Sequence, residues 1–426
     1  MLGLFMVMPV LAISAKEYPD YSAFLVGLAI GGYGLTQALL QIPMGVLSDK
    51  IGRKPIIVGG LFVFAIGSMV AATADTLVWV VIGRFLQGAG AIAGAIMALA
   101  GDLSREKQRP KVMAVIGISI GFSFYLALLI GPVIASKFGL SGIFLLTGVF
   151  AFLCIFLVIF VVPKAQNIAP IGDTLPVTDD LKSLVSHPDL ARLSVSVLLL
   201  HMLITLLFVQ IPVLLVNLDW PLTKHWQVYL VVLVASVVGL LGLMAAASKY
   251  KNAVMQLSVA GLAVVFLCMV FNQNSLLYLV LLISLFFTCF NYLEANFPAM
   301  VSNIAPAGKK GSAMGIYASF QFFGAFIGGV LSGSISEFLG TQWVFILASV
   351  LCGVWLLLIK GLNATNRLKR YTLKTDKKIS SLALQQLSEL EGVVDITVVS
   401  DEQVMYLKAE QNFDVQQARL VLNIKE

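Results

Sequence analysis

Twelve apolar runs, most of them 18 to 28 residues long, confine this chain to a lipid bilayer. A hydrocarbon core of roughly 30 Å takes about 20 helical residues to cross. The runs occupy 1–15, 24–48, 56–73, 76–103, 112–137, 139–162, 193–218, 226–248, 254–271, 275–300, 311–338 and 342–360, and are called spans 1 to 12. Apolar residues make up 59% of the chain and charged residues only 12%, against about half and about a quarter in soluble domains. Span 5 runs into span 6 through a short turn at Lys137–Ser141.

The charges are sorted by side. With alternating spans, the segments 50–54, 105–111, 164–192, 249–251, 309–310 and 360–370 fall on one face and carry eighteen Lys and Arg. The other face carries three, Lys16, Lys137 and Lys224. Basic loops stay on the cytoplasmic side, which predicts a cytoplasmic C-terminus. The net charge of +6 is therefore an orientation signal rather than a nucleic-acid footprint. Cys154, Cys268, Cys289 and Cys352 all lie inside spans without ligand-like spacing, which reads as buried thiols and no metal site.

The basic face holds the most specific signal. Gly45-Val46-Leu47-Ser48-Asp49-Lys50-Ile51-Gly52-Arg53-Lys54 fills every fixed position of the pattern G-x-L-[AS]-D-[RK]-x-G-R-[RK]. This resembles the loop between the second and third helices of the major facilitator superfamily. The resemblance implies an all-α membrane protein of twelve helices in two six-helix bundles, with a span 1 truncated at its start. Asp49 is expected to pair with Arg53, to share a cluster with Asp102 at the end of span 4, and to approach the N-terminus of span 11 near Gly311-Ser312-Ala313, where the helix dipole favours an anion. With Gly45, Lys50, Gly52 and Lys54, it would form a latch that holds one state of an alternating-access cycle.

The chain divides into bundles 1–163 and 190–362, a linker 164–189 with a short amphipathic helix marked by Leu181, Leu184 and Val185, a basic linker 363–370, and a tail 371–426. The tail is expected to be a small α+β domain. Tyr371–Lys374 reads as a strand. Ile379, Ala383, Leu387 and Leu390 mark a helix ending toward Gly392, two alternating strands follow, and Val415, Ala418 and Leu422 mark a second helix. The order β-α-β-β-α is ferredoxin-like without a last strand. The tail has neither Cys nor His, which argues against copper-chaperone chemistry, and a regulatory or partner-binding module or a purely stabilising appendage is expected.

Ionisable residues inside spans are expensive and mark pathways. Glu294 in span 10 and His201 in span 7 are the candidates for proton coupling, with a substrate-cation site or a structural pair as the alternatives for Glu294 and a neutral hydrogen-bonded imidazole as that for His201. Arg84, in Gly83-Arg84-Phe85-Leu86-Gln87-Gly88-Ala89-Gly90, resembles a second family motif, R-x-x-Q-G-x-G. It is expected either to modulate a proton carrier or to tie helices together. In span 5, Gly117, Gly121 and Gly131-Pro132 resemble in part the glycine pattern of the superfamily's antiporters, with Ile118, Ala127, Ala135 and Ser136 replacing other glycines; tight helix packing is expected there.

Together these imply a drug:proton antiporter type, not an enzyme: a monomer in a bacterial inner membrane, driven by the proton gradient without a cofactor, exporting a small amphipathic compound of unknown identity. A proton symporter for a sugar or metabolite, and a transporter-like sensor signalling through its tail, are the alternatives. No GxxxxGK[ST] loop is present, which argues against an ATP-driven pump.

Overall fold

The structure, a computed structural model, describes residues 1–104, 108–163, 178–271, 275–306, 309–362, 369–374, 381–399, 404–409 and 412–422. Among them, nine helical stretches are long and apolar enough to cross a membrane. Two of these are too long for a single crossing. Arg109–Phe160 contains a non-helical Gly139 at φ 66°. On one side of it Gly131 packs on Met6, and on the other Thr147 Oγ1 donates to Gly3 O at 3.3 Å. A straight helix could not bring both flanks to one short segment, so the chain reverses at Gly139. His225–Phe271 breaks at Tyr250, and its flanks Gly239 and Gly261 meet the neighbours Thr288 and Cys289. Spans 5 and 6, and spans 8 and 9, are thus hairpins with almost no loop.

The remaining spans are 2 (Ala23–Ile51), 3 (Arg53–Ala72), 7 (Pro188–Asn217), 10 (Leu276–Ile304), 11 (Lys310–Phe338) and 12 (Thr341–Ile359). Span 1 consists of two short helices, Leu2–Met6 and Leu11–Ser14. Span 4 is broken into Leu77–Ala89 and Ala93–Asp102, with Ala91 between them at φ 37°. Asp20 caps span 4, accepting from Leu77 N at 2.6 Å and Val78 N at 3.0 Å.

Each half has its own core. Met6, Val7, Leu11, Leu77 and Phe144 are buried together in the first. Phe208, Phe266, Phe286, Phe345 and Trp355 are buried in the second, where Trp355 Nε1 donates to Ser196 Oγ at 2.9 Å. The outer surface is also apolar: Phe152, Phe156, Phe160, Val238, Leu241, Leu281 and Val350 are exposed. A band of this kind on a helical bundle is covered by lipid tails.

The halves meet along spans 2 and 11. A Cβ on Gly27 would lie 2.1 Å from Gly329 O, one on Gly31 2.7 Å from Phe326 O, and one on Gly34 2.4 Å from Phe322 O. Only glycine permits this backbone-to-backbone contact. At its end Glu337 Oε2 accepts from Phe24 N at 2.7 Å, in the first turn of span 2. The contact runs along the half of the bundle away from the basic loops and joins the two halves there.

The linker helix forms at Thr178–Val185; Leu184 is buried, whereas Val185 is exposed, so this residue does not share the buried side. In the tail, strands Lys369–Lys374 (β1), Val393–Val399 (β2) and Val404–Ala409 (β3) form an antiparallel sheet in the order β1-β3-β2. Helices Ser381–Ser388 and Val415–Leu422 accompany it. The expected β-α-β-β-α order is present. Gly392 has φ 90° but lies beyond the helix end at Ser388, so it serves the entry to β2 rather than the helix cap. Ile379, residues 164–177 and the side chain of Leu181 lie outside the described residues.

Candidate functional site

At the basic face the 45–54 motif is not a loop. Span 2 continues helically to Ile51 and span 3 starts at Arg53, so Gly52 alone makes the reversal, at φ 98° and ψ 154°. That backbone conformation strains any residue with a Cβ, which is why the pattern fixes a glycine there. The turn brings Arg53 back over the end of span 2. Arg53 Nε pairs with Asp102 Oδ2 at 3.0 Å, both side chains being buried. Arg53 Nη1 donates to Ser48 Oγ at 3.1 Å, and Ser48 Oγ to Gly45 O at 2.7 Å. Lys54 Nζ donates to Val162 O at the end of span 6, while Lys50 is exposed. The motif is thereby a rivet joining spans 2, 3, 4 and 6. The Asp49 side chain, and with it the expected pairing to Arg53 and to span 11, lies outside the described residues.

Midway through the bundle, three spans of the second half bring ionisable groups together. His201 Nδ1 lies 3.3 Å from Val197 O, and Nε2 lies 2.7 Å from Gln321 Nε2. These contacts suit the tautomer that donates from Nδ1 and accepts at Nε2. Gln321 Nε2 also reaches Glu294 Oε1 at 3.4 Å, and Glu294 Oε2 is 3.8 Å from His201 Nε2. Glu294 Oε2 and the nearby Tyr317 hydroxyl are buried without a hydrogen-bond partner among the described residues. The Glu294 side chain is nevertheless 35% exposed. It lies about 15 Å from the basic-side end of span 10 at 1.5 Å per residue, a depth at which a carboxylate needs a wet cavity.

On the far side of this cluster, away from the basic loops, rings from both halves pack together. Phe124 of span 5 packs edge-on against Phe5 at 5.2 Å and Phe208 at 6.0 Å, and lies 6.1 Å from Phe287. Asn291 Nδ2 donates to Tyr125 OH, a polar tie between spans 10 and 5. Among the described residues, these rings and the contact of spans 2 and 11 pack the two halves together on the side of the cluster away from the basic loops.

Arg84 stands apart from this cluster. It is buried, donates from Nε to Ala29 O at 2.9 Å and from Nη1 to Gln87 Oε1 at 2.8 Å, and lies over the Tyr33 ring at 5.4 Å. Gln87 Nε2 in turn donates to Ser68 Oγ at 2.8 Å. All these partners are neutral, and through them Arg84 ties spans 2, 3 and 4; among the described residues no titratable carboxylate or imidazole is bonded to it. The glycines of span 5 are corrected too. Gly131 packs on Met6, but Gly117 and Gly121 have nothing within 4 Å of where a Cβ would stand. Among the described residues no helix approaches there, and Ile118 and Phe122 beside them are exposed.

Gln321, Asn291 and Tyr125 are site residues that sequence reading passed over. They are neutral, so burial in a span does not single them out; only the titratable neighbours do.

A family profile described as Major Facilitator Superfamily matches residues 1–287 and 244–390. The chain is 38% identical over 427 residues to the inner membrane transport protein YajR of Escherichia coli (strain K12), covering 98% of this chain and 94% of that protein. It is 30% identical over 196 residues to the multidrug resistance protein MdtL of Klebsiella pneumoniae, which spans 45% of this chain and 48% of that protein. A solved structure of the nucleoside transporter NupG superposes with a TM-score of 0.65 at 14% identity, over 84% of this chain and 96% of that one. At that identity the likeness is one of fold alone.

Proposed function

The chain belongs to the major facilitator superfamily, and on that premise we propose that it is a proton-coupled secondary transporter that exports small amphipathic compounds by alternating access. The observation that carries this reading is the Glu294–Gln321–His201 cluster on three spans. A proton on Glu294 sits between a neutral amide and a neutral imidazole, all at hydrocarbon depth. Loss of that proton leaves a charge that a cationic or polar substrate group can meet. Exchange of one for the other at a single site is the elementary step of antiport, and the aromatic plug beyond it offers an apolar surface for the rest of the substrate. The similarity to MdtL over one half supports efflux; the open surroundings of Gly117 and Gly121 withhold support from the antiporter glycine pattern.

In this reading the basic face is cytoplasmic, the protein works as a monomer in an inner membrane, and no cofactor takes part. The bundles 1–163 and 190–362 move against one another around the cluster. Asp49 docks on the N-terminus of span 11 when the cytoplasmic side shuts. The tail is a ferredoxin-like module on the cytoplasmic surface. Purified protein in vesicles with an imposed pH gradient tests the reading across a panel of amphipathic cations, neutral drugs and sugars. Export driven by inward protons supports it. Proton-driven uptake replaces it by symport, and binding without flux replaces it by a sensor.

A further inference from the structure

One face of the tail sheet is buried where an isolated domain would leave it in water. Along β3, Met405, Leu407 and Ala409 point into the tail's own core with Leu387 and Ala418 of its helices. Alternation sends Tyr406 and Lys408 to the opposite face. There they are only 2% and 3% exposed. The cover is the membrane bundle. Lys408 Nζ donates to Asn303 O at 2.7 Å, to Ile304 O at 3.0 Å and to Ala305 O.

These are consecutive carbonyls at the end of span 10, which terminates at Ile304. The last carbonyls of a helix have no partner within it and carry the negative end of its dipole. An ammonium has three donors and no acceptor, so one lysine satisfies all three. Ala305 itself belongs to the core of the second half, so the contact grips a packed element rather than a loose loop. Lys408 lies on the central strand of the sheet, held by β1 on one side and β2 on the other.

We infer that the tail is an intramolecular clamp: Lys408 caps span 10 and holds its basic-side end in the arrangement that leaves the opposite face shut. Span 10 carries Glu294, so the clamp acts on the helix that bears the coupling carboxylate. Release of the sheet face frees this end to move, and the tail thereby sets the rate at which the transporter switches. The link to transport rests on the proposed function; the docking itself does not.

Two readouts on the full-length protein test the clamp. Hydrogen exchange in lipid nanodiscs compares wild type with Lys408→Met and Lys408→Arg. The expected result for Lys408→Met is about tenfold faster exchange in 301–306, in line with the loss of charge-assisted bonds, with unchanged exchange in the tail helix 381–388. Lys408→Arg keeps the charge and donors and is expected to retain most of the protection. Unchanged exchange at 301–306 in Lys408→Met overturns the capping role, whatever the protein transports. In vesicles, Lys408→Met is expected to raise turnover of a transported compound severalfold. Unchanged or lower turnover from an undocked tail overturns the clamp while leaving proton-coupled transport intact.

Discussion

Arg53 and Asp102 show how a motif residue is bound to one physical role. Both are buried and bonded to each other, and removal of one partner takes a charge-assisted hydrogen bond from the other, an effect of about 1.5–3 kcal/mol. Arg53→Ala is therefore expected to lower the thermal midpoint in detergent by several degrees, and Asp102→Asn in the same background to add little further loss. Full additivity of the two changes contradicts the pairing. Asp20 gives a pH signature. Burial raises its pKa, but the N–H groups of Leu77 and Val78 outweigh that and hold it below the ordinary carboxylate value. A folded pKa below the unfolded one stabilises the protein above the unfolded value and loses that stability as pH falls toward the folded one. Unfolding scans between pH 6 and pH 3 are expected to show a smaller acid-side decline in Asp20→Asn than in wild type. Glu294 and His201 were legible in the sequence because charge inside a span is conspicuous. Gln321 and Lys408 were not: the first is neutral, and a lysine in a polar tail ordinarily points to water.

Among elements, the meeting of spans 2 and 11 decides which face is shut. Gly27, Gly31 and Gly34 meet the backbone of residues 322–329 so closely that a larger side chain must push the helices apart. Overpacking of this kind costs about 1–3 kcal/mol. Spin labels at Tyr21→Cys and Leu339→Cys, in a background without the native cysteines, are expected to report one short distance. Adding Gly329→Leu is expected to produce a longer population; an unchanged distribution removes the close contact from the gating account. The spans themselves were legible from hydrophobic length, and the turns at Gly52 and Gly139 rest on glycines already visible as punctuation. The small residues spaced by four along span 2 carried a packing signal, but one chain does not say which face finds a partner. The same limit explains Gly117 and Gly121, small residues of span 5 that meet no neighbour among the described residues.

At the scale of the whole molecule, the geometry has a direction. The cluster of Glu294, Gln321 and His201 lies midway, and aromatic rings and the glycine contact pack the two halves together on its side away from the basic face. In the proposed cycle, a transporter in this state exchanges protons and cargo with the basic side, and turns over by opening the glycine contact while the motif at Gly52 closes. Glu294 is the one carboxylate in that cluster among the described residues, so the proposed coupling of proton to cargo rests on it. The decisive measurement is accumulation of a transported compound in vesicles under an imposed pH gradient, wild type against Glu294→Gln. The account predicts that the variant still folds and exchanges compound down its own gradient, but loses at least about tenfold of its pH-driven accumulation, the effect of removing a required general acid–base group. Undiminished pH-driven accumulation in Glu294→Gln contradicts it.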